Sequence, residues 1–274
     1  MRGTATGGMG KARGMAGRIA TEDRLMGGRV RLLQPATGYR VAIDPVLLAA
    51  AVPAREGEHV LDIGTGSGAA ALCLAARVGG CEIVGLERVS AMACLARKSV
   101  RLNGRTASIV IVEGDLMHPP PALKAGRFDH AMANPPHLET GAASSRGSRG
   151  RRMAHVENTA GLDAWVDFAL RMLRPRGRMT FIHRADRLDD LLALLHGRAG
   201  GIVVCPLWPK RGRPAKRVIV QAVKGSQAPL TLGPGLVLHA PSGAFTRATE
   251  ALLRDGRALD ITSGPRVGKP RQRD

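Results

Sequence analysis

The apolar positions of the chain alternate between two rhythms. Short continuous apolar runs, of a length that suits buried strands, are separated by Ala- and Leu-rich stretches in which apolar positions recur at helical spacing. The runs at 59–63, 82–86, 107–112, 128–133, 179–183, 202–207 and 217–223 read as strands. The stretches at 67–78, 90–102, 162–173 and 186–196 read as helices, as does 44–52, where Pro45 suits a first turn. A further short strand is expected at 29–33. Ser90 and Asp186 are candidate N-caps, Asn103-Gly104 is a natural stop, and Pro175 with Gly177 is expected to end the helix before it. Strands alternating with helices predict a mostly parallel sheet with helices on both faces. No internal repeat interrupts the pattern.

Outside this pattern the chain is poor in apolar residues. Residues 1–22 are expected to form a disordered Gly- and Arg-rich tail, which makes Met9, Met15 and Met26 candidate starts, and 262–274 a basic disordered tail. A single domain is expected over 23–261. The stretch 137–159, rich in Gly, Ser and Arg, reads as a long loop of the functional or mobile kind. Apolar residues make up 44% of the chain but aromatics only 3%, so Leu, Val, Ile and Ala must fill the core. No apolar run approaches the ~18–20 residues that cross a bilayer, and no apolar stretch follows the basic N-terminus as in a signal peptide, so a cytoplasmic protein without a membrane partner is expected. The four cysteines form no CxxC pair and have no His at zinc-ligand spacing. They are expected to be reduced thiols without a metal, with Cys73 and Cys94 in the core.

Charge narrows the class of partner. The net charge of +19 suits a polyanion such as a nucleic acid, against the plainer reading of an Arg-rich bias with solvated side chains. Two basic segments stand out. One is 146–152, with Arg149 and Arg151. The other joins the last two expected strands and contains Lys210, Arg211, Arg213 and Lys216, with Trp208 beside it as either a stacking surface or core. Such side chains position phosphates without reading sequence.

Candidate chemistry lies at strand ends. Asp62 precedes Gly64-Thr65-Gly66-Ser67-Gly68 between an expected strand and an expected helix, where glycines permit a tight turn close to a ligand. Glu87 ends the second strand, placed to accept bonds from two ribose hydroxyls. Asp115 follows the third, placed to receive an adenine amino group. Three acids at three successive strand ends point to a nucleoside-type cofactor. The acid placed before the glycines gives DxGxGxG, which resembles the methyltransferase turn more than the dinucleotide GxGxxG. At the end of the fourth strand, about 70 residues on, stands Asn134-Pro135-Pro136-His137. The NPP core resembles the signature of methyltransferases acting on planar nitrogens, and it favours S-adenosylmethionine over NAD. The lone pair of an exocyclic amine is delocalised into its ring. The Asn134 side-chain oxygen and the Pro135 carbonyl can accept that amine's protons, localise the pair and aim it, on a turn the prolines stiffen. The usual residue after the second proline is Tyr, Phe or Trp; here His137 would stack with less area and a titratable charge.

Beyond these motifs the chain resembles the bacterial tRNA (adenine-N6)-methyltransferases that act beside the anticodon of a valine tRNA. The likeness runs from about Asp23 to about Leu259. It includes Gly38-Tyr39-Arg40, Ile43 through Ala49, Leu207-Trp208-Pro209, and Gly212 through Arg217. It implies a Rossmann-like class I methyltransferase: an α/β fold with a mostly parallel seven-stranded sheet and a C-terminal antiparallel strand. It also implies S-adenosylmethionine as cofactor, with Asn134 serving both cofactor and substrate, and RNA, most naturally tRNA, as partner. A monomer is expected. Two other readings stay open: a protein glutamine N5-methyltransferase, for which the roughly 35 structured or semi-structured residues expected before the glycine turn leave little room for a recognition domain, and a non-catalytic RNA-binding protein on the same scaffold.

Overall fold

The computed structural model describes residues 20–37, 40–136 and 160–264. The apolar run His59–Ile63 forms β3 at the middle of the sheet, buried in all but its first residue. Parallel partners flank it: β4 (Glu82–Glu87) and then β5 (Ile109–Glu113) on one side, β6 (Phe128–Ala133) and then β7 (Leu173–Arg184) on the other. Beyond β7, β9 (Arg217–Lys224) runs antiparallel, and β8 (Ala199–Lys210) pairs antiparallel with β9. These are the seven expected strands, in the order β5-β4-β3-β6-β7-β9-β8, with one reversed. The sheet continues further than expected. Both β10 (Thr231–Leu232) and β11 (Leu236–His239) add parallel to β8, giving nine strands among the described residues.

The strands are apolar on both faces because both faces are covered. On one side lie α1 (Asp44–Ala51), α2 (Ala69–Arg77) and α3 (Ser90–Leu102), and on the other α4 (Leu162–Met172) and α5 (Leu188–Leu195). A hairpin of β1 (Ala20–Leu25) and β2 (Val30–Pro35) rests on α3. There the Leu33 amide meets Ser99 Oγ at 3.0 Å and the Arg31 amide meets Asn103 Oδ1 at 2.9 Å. Ala20 pairs with Pro35, so residues 20–22, expected in the N-terminal tail, belong to a strand. At the other end Gly264 still bonds the Asp260 carbonyl at 2.9 Å, beyond the expected boundary at 261.

Several local expectations change for identifiable reasons. Val89, not Ser90, precedes the first turn of α3, and the Ser90 hydroxyl bonds Glu113 instead. Asp186 pairs with Arg184 in a short 3-10 turn and caps nothing; α5 begins at Leu188. Helix α4 stops at Met172, before Pro175, because Gly126 and Arg127 amides take the Arg171 and Met172 carbonyls at 3.1 Å each. Pro175 and Gly177 instead fall where β7 shifts register against β6. Cys73 is buried as expected, whereas Cys94 is exposed; all four cysteines are free. Among the described residues no helix is long and apolar enough to cross a membrane.

Helix α1 is buried nearly all round, which its short apolar sequence alone does not explain. Its cover is the C-terminal segment, with α6 (Arg247–Leu253) capped by Thr246, whose hydroxyl accepts the Thr249 amide at 3.2 Å. The Leu259 amide donates to the Ala50 carbonyl at 2.8 Å, Arg77 Nε to Ala49 at 3.2 Å and Gln221 Nε2 to Ala51 at 3.4 Å. The orphan carbonyls at the helix end are thereby satisfied away from water.

Candidate active site

The register sets three strand ends side by side. Ile63 faces Leu86 on one neighbour and Ala133 on the other, so the glycine turn, Glu87 and Asn134 emerge together at the C-terminal edge of the sheet. This is where open α/β sheets bind ligands. The turn closes through Thr65 N to Leu86 O and Gly68 N to Thr65 O, each 2.9 Å. Gly64, Gly66 and Gly68 have φ of 66°, 59° and 89°, a left-handed region that favours glycine. At Gly64 space is limiting as well, since a Cβ there would come within 2.5 Å of Trp165 Cη2.

The acids have different environments. Asp62 is 2% exposed, and Thr65 Oγ1 donates to its Oδ2 at 2.5 Å. Burial pushes its carboxyl up to about 7, against the hydrogen bonds from Thr65 and the Ala71 amide, with the Glu87 charge adding to the rise. Glu87 accepts the Gly66 amide on Oε2 at 2.9 Å and the Val89 amide on Oε1 at 2.8 Å, which locks its carboxylate beside the turn. Asp115 sits one residue past Gly114, whose amide bonds the Glu87 carbonyl at 2.9 Å. One Asp115 oxygen receives the Met117 amide at 2.9 Å, and the other carries no bond among the described residues. Asn134 is half-buried, Pro135 buried and Pro136 exposed. His137, Arg149 and Arg151 lie outside the described residues, as do Gly38 and Tyr39.

Known proteins match this arrangement. Residues 60–146 fit the family model of a methyltransferase domain. A tRNA1(Val) (adenine(37)-N6)-methyltransferase of Dickeya chrysanthemi is 30% identical over 79% of this chain and 87% of its own length. Its counterpart in a Shewanella species is 30% identical over 80% of this chain and 92% of its own. The chain belongs to this methyltransferase family. Among solved structures, a predicted O-methyltransferase from Agrobacterium tumefaciens superposes with a TM-score of 0.64 at 29% identity, over 78% of this chain and 96% of that one.

In this family member the structure also brings in two residues that sequence reasoning missed. Trp165 of α4 packs on Gly64, and Ser67 lies inside the turn. Trp165 Nε1 and Ser67 Oγ are buried without a hydrogen-bond partner among the described residues. Buried polar atoms are ordinarily satisfied, so Ser67 Oγ, inside the turn, awaits a partner that the described residues do not supply. Only the helical pattern around Trp165 was legible, and nothing in its spacing points to Gly64. The basic segment after β8 lies at the same edge as Asn134, since Arg217 faces Leu207 on one side and Arg184 on the other. Lys210, Arg211, Arg213 and Lys216 are exposed there, while Arg217 pairs with Asp44 at 3.3 Å. His130 is structural: its Nε2 meets Glu58 at 2.9 Å, near the opposite end of β6. A cavity of about 440 Å³ between α5 and the start of β8 also lies at that far end, away from the glycine turn. Among the described residues no cluster of His, Cys, Asp and Glu suits a metal.

Proposed function

We propose that this methyltransferase transfers a methyl group from S-adenosylmethionine to the exocyclic N6 of an adenine in tRNA. The observation that carries the reading is the juxtaposition of the glycine turn with Asn134-Pro135-Pro136, fixed by the pairing of Ile63 with Ala133. S-adenosylmethionine supplies an electrophilic methyl on a sulfonium. The residues present fit its parts. Glu87, held by two backbone amides, keeps lone pairs for the ribose hydroxyls, and the free oxygen of Asp115 suits the adenine amine. Asp62, Gly64, Thr65, Gly66 and Gly68 would hold the amino-acid end, and Ser67 Oγ, which has no partner among the described residues, could donate there.

The Asn134 side-chain oxygen and Pro135 carbonyl accept the two amine protons of the target adenine. The nitrogen lone pair is thereby localised and would be aimed at the methyl that a bound cofactor presents. As the N–CH3 bond formed, the S–CH3 bond would break to leave a neutral thioether, and the amine proton, made acidic by that transfer, would pass to water, so no strong base is required. Pro135 and Pro136 stiffen the turn, and His137 takes the place of the usual stacking aromatic. Arg149, Arg151, Lys210, Arg211, Arg213 and Lys216 hold RNA phosphates. A cytoplasmic location goes with this reading, as do the four free thiols. The test is transfer of labelled methyl to total tRNA. N6-methyladenine that disappears in Asn134→Ala supports the proposal. Cofactor binding without transfer to tRNA refutes it.

A further inference from the structure

The chain holds two Trp, one Tyr and four Phe. Phe128, Trp165, Phe168 and Phe181 are buried in the core. Among the described residues, the aromatics that keep accessible surface are Trp208 and Phe245, and both lie beside the end of β8, next to the basic segment. In so aromatic-poor a chain, this placement needs an explanation.

The register gives the local geometry. Val237 faces Trp208, His239 faces Lys210, and His239 bridges to Phe245. Residues opposite one another, and residues two apart along a strand, share a face. Trp208, Lys210 and His239 therefore present on one side of the sheet margin. His239 and Phe245 are stacked, with ring centroids 4.7 Å apart and planes at 22°. The stack is held in place: His239 Nδ1 meets the Gly243 carbonyl at 3.0 Å, and the Ala240 amide bonds Ala244 O at 2.8 Å across the turn. Trp208 Nε1 donates to Pro234 O at 3.4 Å. Lys210 Nζ reaches the carbonyl of Pro241 in the same turn at 3.3 Å, and exposed Arg211 and Arg213 follow it in sequence.

We infer that the segment from Leu236 to Phe245 is a base-stacking platform. It holds an unpaired nucleotide of the RNA on the His239–Phe245 pair while Lys210, Arg211 and Arg213 take neighbouring phosphates. A preformed aromatic face beside fixed positive charge suits single-stranded nucleic acid, because every base has a face to stack and every phosphate a charge to neutralise. An acidic peptide would use the charges and leave the rings idle. The platform is not the reaction centre. Four strand spacings of ~4.8 Å separate β6 from β11, about 19 Å, so the stacked base is a flanking nucleotide several positions from the target adenine. The inference rests on the proposal that the substrate is RNA.

The test is tRNA affinity as a function of salt for the unmodified protein, Phe245→Leu, Phe245→Trp and Lys210→Ala, with cofactor affinity and melting temperature alongside. Phe245→Leu keeps apolar bulk but removes the ring face. It should weaken tRNA binding about tenfold, with the salt slope unchanged and cofactor affinity retained. Phe245→Trp should retain or improve binding, whereas Lys210→Ala should flatten the slope. Unchanged tRNA affinity in Phe245→Leu overturns the platform and leaves the RNA reading intact. Equal losses in the Leu and Trp variants, with lowered melting temperatures, overturn it in favour of a packing role. Failure of the unmodified protein to bind tRNA overturns the RNA reading itself.

Discussion

Asp62→Asn should make the protein more stable and worse at binding its cofactor. The Asp62 carboxyl is 2% exposed, and burial raises it from 3.8 to about 7. The unfolded chain thus releases this proton near pH 3.8, while the folded chain keeps it until about pH 7. The stability contributed by the group is fully present below 3.8. It is lost progressively as pH rises, and the loss is complete once pH passes the folded value. At about 1.4 kcal/mol per pH unit the gap amounts to about 4 kcal/mol. Asparagine has nearly the same shape and no charge, so it leaves this loss out.

The measurable quantity is the difference in unfolding free energy between variant and parent, from urea titrations at a series of pH values. Between pH 5 and pH 8 that difference should move in favour of Asp62→Asn by about 2–3 kcal/mol, nearly all of it by pH 7.5. Above that it should be flat. Carboxylates remote from Asp62 behave alike in the two proteins and cancel. Parallel stability curves from pH 5 to pH 8 would falsify the claim that Asp62 is buried at a cost. The expected companion result is a cofactor affinity at least tenfold weaker in the variant, since an unfavourably buried acid is retained where a ligand uses it.

Gly64→Ala should destabilise more than Gly66→Ala. Both sites have positive φ, which costs an alanine about 1–2 kcal/mol, but only at Gly64 does the new methyl meet a tryptophan ring, at 2.5 Å against 3.8 Å to Met92 Cε at Gly66; equal urea midpoints would contradict the close packing of Trp165. Replacing Lys210, Arg211, Arg213 and Lys216 together by Ala should reduce the salt slope of tRNA binding by about 0.7 for each phosphate no longer neutralised, and an unaltered slope would remove this segment from the RNA site. Leu259→Ala should cost about 2–5 kcal/mol, because the side chain is 4% exposed over α1; a change under about 0.5 kcal/mol in urea denaturation would show that the C-terminal cover is dispensable.

The sequence was most legible where one signal sufficed. His59–Ile63, Phe128–Ala133 and Ser90–Leu102 appear with the boundaries their patterns predict, because strands buried on two faces and a long amphipathic helix declare themselves locally. What escaped was built by partners. Strand β1 is a mostly polar segment whose partner is β2, β10 is two residues long, and α6 spans seven residues and depends on the Thr246 cap. Their stability comes from contacts distant in sequence, so no window of neighbours reveals them.

The site divides in the same way. Asp62, Glu87 and Asn134 could be found because parallel strands end together, and a motif at a strand end therefore carries its own address. The character of those residues could not be read from the address. Asp62 and Glu87 are both carboxylates at adjacent strand ends, yet burial raises Asp62 towards neutrality, whereas Glu87 has two amides that anchor it. Trp165 makes the difference concrete. It closes over Gly64 from a helix far along the chain, and its indole N–H is buried without a partner among the described residues. A glycine turn predicts that something approaches closely, and only the folded structure shows that a protein side chain already occupies one side of that space. Any cofactor in this turn must therefore enter from the side that Trp165 leaves open, which is why the alanine series at Gly64 and Gly66 reports on the shape of the site as well as on the strain of its backbone.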